Sequence, residues 1–241
     1  MKWDIHTHTT YSRIKPWGYD ALNSPAEMIK AAIKKGLDGI VITDHNTIKG
    51  ALAGLKYVKA KKLNFSLIIG EEIRTTSGDV LAIGISEEIR PYLSLEETID
   101  KIHEQGGVCV AAHPFARFLL GTVLRDKSKK TDAIEVLNAC SALHFQNLAA
   151  QKFARQNNLV AVAGSDAHAA SVIGSAGIIC NNPLKDIKNG RVKIFGSEAL
   201  RKELARIYIR KYIRSIKWLI NKQEKRELKE FIRKCEPCFN F

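Results

Sequence analysis

Asp4-Ile5-His6-Thr7-His8 places two histidines one residue apart, just after the apolar opening Met1-Lys2-Trp3. Side chains alternate along an extended strand, so the two imidazoles project to the same side at its end. Such a pair is half of a metal site. Further donors recur downstream: Asp44 and His45, Glu71 and Glu72, His113, Glu135 and Asn138, then Asp166 and His168. Histidine and carboxylate without cysteine suit zinc, manganese or iron, and this many donors allow more than one ion. Two ions about 4 Å apart can bridge a hydroxide and clamp a phosphate's oxygens during in-line displacement. One histidine alone would be weak evidence, because histidine often fills partly buried structural positions. Recurrence at strand ends is the stronger signal.

These residues need a scaffold that brings strand ends to one face. Short runs of Val, Ile and Ala alternate with longer amphipathic segments, which predicts an α/β fold. Strands are expected at 3–6, 39–43, 66–70, 80–84, 108–112, 133–137 and 160–163, with an eighth at 177–180. Their continuous apolar character suits parallel strands buried on both faces. Ser24-Pro25-Ala26-Glu27 opens a helix with an N-cap, a first-turn proline and a capping box, and Gly36 stops it. Helices over 47–61, 94–105 and 145–156 read similarly, and 115–131 reads as a loop insertion. In a parallel barrel the carboxyl ends of the strands share one face. The donors converge there.

The formal charge of +13 is unevenly spread. Between Arg201 and Lys234 thirteen Lys/Arg face four Glu, giving +9, and Glu236 adds −1, which leaves +5 for residues 1–200. No run of about 18 uncharged apolar residues occurs, so no transmembrane helix is expected. Charged Asp4 and His6 come too early for a signal peptide, and five cysteines without framework spacing fit reduced thiols. A cytoplasmic location is the expectation.

The motifs Asp-x-His-x-His-Thr-x-x-Ser at 4–12, Thr43-Asp44-His45-Asn46, Gly70-x-Glu72-Ile73, His113-Pro114 and Gly164-Ser165-Asp166-Ala167-His168 resemble those of the polymerase and histidinol phosphatase (PHP) family, in the same order. The resemblance spans residues 1 to about 180. It implies a distorted (β/α)7 barrel and a metal-dependent phosphoesterase with two or three divalent ions (Zn, Mn or Fe). Carried over by motif, His6, His8, Glu72 and Asp166 hold one ion. Glu72 bridges to a second, held by His113, while His45 and His168 take a third. His6, His8, Glu72, Asp166 and His168 then form the catalytic set. The chain departs from the pattern twice. Arg13 follows the serine of the first motif where relatives often place Asp or His, and Asp20 is the proposed substitute. Asp79 stands where many relatives carry His, and carboxylate is also a competent ligand. Asp4 and Asp44 are read as groups that orient the ligand histidines.

Arg13 and Arg117 lie one loop beyond ligand motifs, where a guanidinium could grip a substrate phosphate. The domain reading is a barrel over 1–196 and a basic helical extension over 197–241. Leu200, Leu204, Ile207, Tyr208, Tyr212, Ile216, Leu219 and Ile220 mark an amphipathic helix, expected to pack on the barrel or a second subunit. Its basic face could also contact nucleic acid or an acidic membrane. Cys235-Glu236-Pro237-Cys238 is a lone C-x-x-C and is read as a frayed tail. The expected substrate is a phosphorylated small metabolite or nucleotide. The rivals are action on nucleic-acid ends through the tail, a metal-dependent amidohydrolase, and a non-catalytic nucleic-acid-binding module.

Overall fold

The computed structural model describes residues 1–14, 18–116, 123–141 and 143–235. Among the described residues eleven strands are distributed over a long curved sheet and one small hairpin. The hairpin pairs β2 (Arg13–Ile14) with β3 (Gly18–Tyr19). The large sheet contains β1 (Lys2–Thr7), β4 (Gly39–Ile42), β5 (Ser66–Arg74), β6 (Asp79–Ile83), β7 (Val108–Ala111), β8 (Ala133–Asn138), β9 (Ala161–Gly164), β10 (Ala176–Ile179) and β11 (Lys193–Gly196). Its spatial order is β11-β10-β1-β4-β5-β6-β7-β8-β9. Just past β9, Ala167 meets Thr7 of β1 as a parallel bridge, so the sheet nearly closes into the expected distorted barrel. At this seam the amide of His8 donates to Ala167 O at 3.0 Å, and that of Ala167 to His6 O at 3.3 Å.

Helices cover the outside. They are α1 (Pro25–Lys34), α2 (Lys49–Ala60), α3 (Leu95–Glu104), α4 (His144–Gln156), α5 (Pro183–Lys188) and α6 (Arg201–Cys235). Both predicted capping boxes form, Ser24 with Glu27 before α1 and Ser94 with Glu97 before α3. The inner core joins Trp3, Ile5, Val41, Leu81, Ile83, Val110 and Val162, while Ile40 and Ile42 face outward onto Met28 and Ile29 of α1. Among the described residues no helix is long and apolar enough to cross a membrane.

Three features differ from the sequence expectation. β6 runs antiparallel to both β5 and β7, and β10 is antiparallel to β1. An apolar run says that a strand is buried but not which way it points. Second, β5 continues through Glu71 and Glu72 to Arg74, so these carboxylates lie inside a strand and not after it. Third, only two residues of the apolar stripe at the start of the C-terminal helix are buried: Leu204 and Ile207 pack inward, whereas Leu200, Tyr208, Tyr212, Ile216, Leu219 and Ile220 remain exposed.

Two register shifts decide which side chains reach the interior. In β1 an extra residue lies between Asp4, opposite Ile40, and Thr7, opposite Ile42. Trp3 below it and His6 above it therefore both face inward, and Asp4 turns out of the barrel. A second shift lies between Glu135 and Leu137 of β8. It directs Glu135 and Asn138, three residues apart, to the same inner side. Gly164 supplies clearance at the seam: a Cβ there would sit 2.5 Å from His6 Cβ and 2.8 Å from Glu135 Oε1.

Candidate metal centre

At one mouth of the barrel, strand ends and one strand start deliver the donors. β1 brings His6 and, just past its end, His8; the loop after β4 brings His45, and β5 brings Glu72. The loop after β7 brings His113 and the turn after β9 brings Asp166 and His168. Because β6 is reversed, its first residue, Asp79, also lies at this mouth. His113 and Asp166 have φ of 29° and 53°, a left-handed backbone that costs non-glycine residues of order 1–3 kcal/mol each. At these two positions the strained turns aim donors inward.

The first corner consists of His6, His8, Glu72 and Asp166. His6 Nε2 lies 3.5 Å from Glu72 Oε2 and 3.4 Å from Asp166 Oδ1, and His8 Nε2 lies 3.2 Å and 3.1 Å from the same two oxygens. All four atoms are buried and none makes a hydrogen bond of good geometry. Leaving four polar atoms so is costly unless something binds them together. A tetrahedral ion with bonds of about 2.0–2.1 Å has ligand–ligand edges of about 3.3 Å. The gap fits a metal ion.

Behind this corner, Glu135 Oε1 lies 3.0 Å from His6 Nδ1, and its Oε2 accepts the amide of His113 at 2.9 Å. Asn138 Nδ2 donates to Glu135 Oε2 at 3.0 Å and to Asp166 Oδ2 at 3.1 Å. These two residues fix ring and carboxylate orientation. Asp4 and Asp44, expected in that role, do something else. Asp4 accepts from the Ser165 amide and hydroxyl and, at 2.8 Å, from Gly174 N, because the β1 shift turns it outward. Asp44 binds the amide and hydroxyl of Thr9 at 2.5 and 2.7 Å. Both stiffen loops and orient no imidazole.

Glu72 links the first corner to two others. Its Oε1 lies 2.9 Å from His113 Nε2, and Asp79 completes a group of donor atoms within 4.8 Å of one another. Asp79 is also held by Arg74, through Nε and, at 2.9 Å, through Nη2. The third corner gathers His8, Asp20, His45 and His168. Asp20 Oδ2 lies 3.3 Å from His45 Nε2 and 2.7 Å from His168 Nε2, and His45 Nδ1 lies 3.1 Å from Glu72 Oε2. Lys211 of α6 donates to the other Asp20 oxygen, Oδ1, at 2.6 Å.

The charges are mutually adjusted. Burial alone would lower the His8 pKa, yet Asp166 and Glu72 raise it to about 10, and the same opposition with Glu72 puts His113 at about 9. Burial would raise Glu72 and Asp166, but His45 and His6 hold Glu72, and His6 and His168 hold Asp166, well below the usual carboxylate range. Protons on the imidazoles balance the carboxylates where no ion does. His168 is lowered, because burial outweighs the pull of Asp20.

Some residues stand apart. Glu71 faces away from the mouth and accepts the Ile89 amide at 3.0 Å. Arg13 belongs to β2, whereas Arg117 and Cys238 lie outside the described residues. His103 pairs with Asp132 and His144 with Glu198, both at 2.8 Å on the surface. Arg74 and Lys211 were not singled out in the sequence. Arg74 carried a faint signal, two residues beyond Glu72 on the same strand face; Lys211 carried none.

The PHP domain model matches residues 4–209. An uncharacterized protein of Methanocaldococcus jannaschii is 41% identical over 143 residues, covering 58% of this chain and 82% of its own. Among solved structures, a two-domain protein of Bacteroides vulgatus, containing a predicted PHP-like metal-dependent phosphoesterase, superposes with a TM-score of 0.62 at 20% identity, over 88% of this chain and 69% of that one. An amidohydrolase of Chromobacterium violaceum, with bound sulfate and no metal, superposes with a TM-score of 0.57 at 16% identity, over 80% and 98%. At these identities the two structures speak to fold.

Proposed function

The chain belongs to the PHP domain family, and from that premise we propose that it is a metal-dependent phosphoesterase acting on a phosphorylated small metabolite or nucleotide. The observation that carries this is the first corner: four buried, unbonded donor atoms at metal-ligand separations, with one carboxylate shared between corners. His6, His8, Glu72 and Asp166 would hold one ion, Glu72, His113 and Asp79 a second, and Asp20, His45 and His168, with His8 alongside, a third. Bound there, divalent ions would supply Lewis acidity toward the phosphate oxygens and a hydroxide nucleophile near neutral pH.

The protein's own part is arrangement. Glu72 spans neighbouring corners through its two oxygens and fixes their separation. Glu135 keeps His6 Nδ1 occupied, so that Nε2 is the atom turned to the ion. His168 has its Nδ1 2.8 Å from its own loop's Asp166 O and, at 16% exposure, is the most accessible histidine of the catalytic set. Its lowered pKa leaves it neutral at pH 7, the form in which Nε2 can serve as a ligand. The four carboxylates at the mouth, Asp20, Glu72, Asp79 and Asp166, would repel a phosphate unless cations neutralise them, so substrate binding is expected to require loaded sites.

Hydrolysis of p-nitrophenyl phosphate, abolished by a chelator and restored by manganese, tests the reading. Cleavage of amide or dihydropyrimidine substrates without any phosphoesterase activity would establish the amidohydrolase alternative. A screen across nucleotides, bisphosphates, sugar phosphates and short oligonucleotides addresses the substrate.

A further inference from the structure

We propose that Lys211, on α6, is a positioning residue for the third metal corner, and that it couples docking of the C-terminal helix to ion binding there. The inference rests on the reading of the barrel mouth as a metal centre. It starts from how Asp20 is divided. One oxygen, Oδ2, faces His168 and His45 at 2.7 and 3.3 Å, whereas the other, Oδ1, receives the Lys211 ammonium at 2.6 Å. The carboxylate is 3% exposed and Lys211 17% exposed, so the pair is largely removed from water. A carboxylate on a loop can rotate and chelate through both oxygens. One whose second oxygen is taken by a buried cation presents a single oxygen in a fixed direction.

The surrounding contacts show that α6 holds this loop at more than one point. Arg214, one turn beyond Lys211, donates to Leu22 O at 2.7 Å. Leu22 N in turn donates to His168 O at 2.9 Å, so the loop bearing Asp20 lies between the helix and the turn that carries two other donors. Ile207, one turn before Lys211, is buried with Met28, Ala167 and Ala169. The Lys211 ammonium also lies 5.6 Å from the Tyr208 ring centroid, on the same helix. Three successive turns of α6 therefore grip the Asp20 loop and the Asp166–His168 turn. Without the helix nothing among the described residues would hold Asp20 Oδ1.

Lys211 and an ion bound through Oδ2 would share one carboxylate from opposite sides, each favouring the geometry that the other needs. Coupling of this kind is reciprocal: the factor by which helix docking through Lys211 strengthens ion binding equals the factor by which the ion strengthens helix docking.

The test uses the full chain. Manganese is titrated calorimetrically into chelator-treated wild type, Lys211→Met and Lys211→Arg, and amide hydrogen exchange of residues 201–214 is followed with and without manganese. The expected result is that Lys211→Met weakens the last ion to bind by about 10–100-fold, the range for groups that orient a ligand. Earlier ions should keep their affinity, and Lys211→Arg should stay near wild type. In wild type, manganese should slow exchange in 201–214 by a similar factor, and this measurement needs no variant to fold. Unchanged or tighter binding of every ion to a folded Lys211→Met overturns the proposal, as does wild-type exchange indifferent to manganese. A wild type that takes up no manganese overturns the metal-centre reading and this inference with it.

Discussion

The first and third corners of the mouth are built in opposite ways. Donors of the first come from strands and strand ends, sit on the barrel's inner face and are braced from behind by Glu135 and Asn138. Those of the third come mainly from loops, and the carboxylate among them is braced from outside by α6. The sheet determines the one, and tertiary docking determines the other. The first should therefore be rigid and tight, and the third adjustable.

The comparison can be broken most severely at the shared residue. Glu72→Gln removes the carboxylate common to the corners, and kcat/KM on p-nitrophenyl phosphate should fall by about 10³-fold or more, about 4 kcal/mol. Metal analysis of the same variant should show loss from more than one position. Retention of full activity would remove Glu72 from the proposed centre. Glu135→Gln acts on the first corner through His6 and on the second through the His113 amide, but touches nothing in the third. It should weaken the tightest ion by about 10–100-fold and leave the Lys211-dependent ion unaffected, which calorimetry can resolve.

Protons sharpen the contrast further. In chelated protein His8 and His113 titrate near 10 and 9, above their ordinary 6.5, so their stabilisation is complete below 6.5 and is lost as pH rises through 9 and 10. Glu72 and Asp166 titrate below their ordinary 4.5 and 3.8, so their share is present above those values and is lost in acid. The Tm of chelated protein should accordingly peak at about pH 5–6.5 and decline toward pH 10. Manganese should abolish the alkaline decline, because ligation requires the neutral imidazoles and displaces those protons. A Tm profile unmoved by manganese would contradict this. The smallest effect belongs to His103→Ala, which removes a surface pair with Asp132: stability should change by less than about 1 kcal/mol and activity not at all.

The same contrast explains what could be read without coordinates. Residues at the ends of parallel strands were legible, since apolar runs followed by His, Asp or Glu locate both strand and donor. Helix starts at Ser24 and Ser94 were legible because a capping box is local chemistry. The direction of β6 was not, since the run Val80–Ile83 looks the same either way, and only reversal explains why Asp79, at a strand's start, lies beside Glu72. Nor was the outward turn of Asp4, which depends on one extra residue relative to β4. Pieces as short as β11 and α5 lack the periodicity that marks an element. Lys211 is one of thirteen cations between Arg201 and Lys234, and only packing of Leu204 and Ile207 singles it out.

The incomplete seam between β1 and the turn after β9 has a topological consequence. Thr7 and Ala167 form an isolated bridge in place of a continuing ladder, and His8 and Asp166 stand on either side of it. Whatever binds both at once crosslinks two points separated by roughly two-thirds of the chain. A disulfide across such a span removes on the order of 5 kcal/mol of freedom from the unfolded chain. A ligand-set clasp does so reversibly, with a strength set by the free ion concentration. With ions bound as proposed, the barrel's first and last parallel strands would be fastened by a fitting that can be undone, and scarcity of the ion would be felt as unfolding as well as lost turnover.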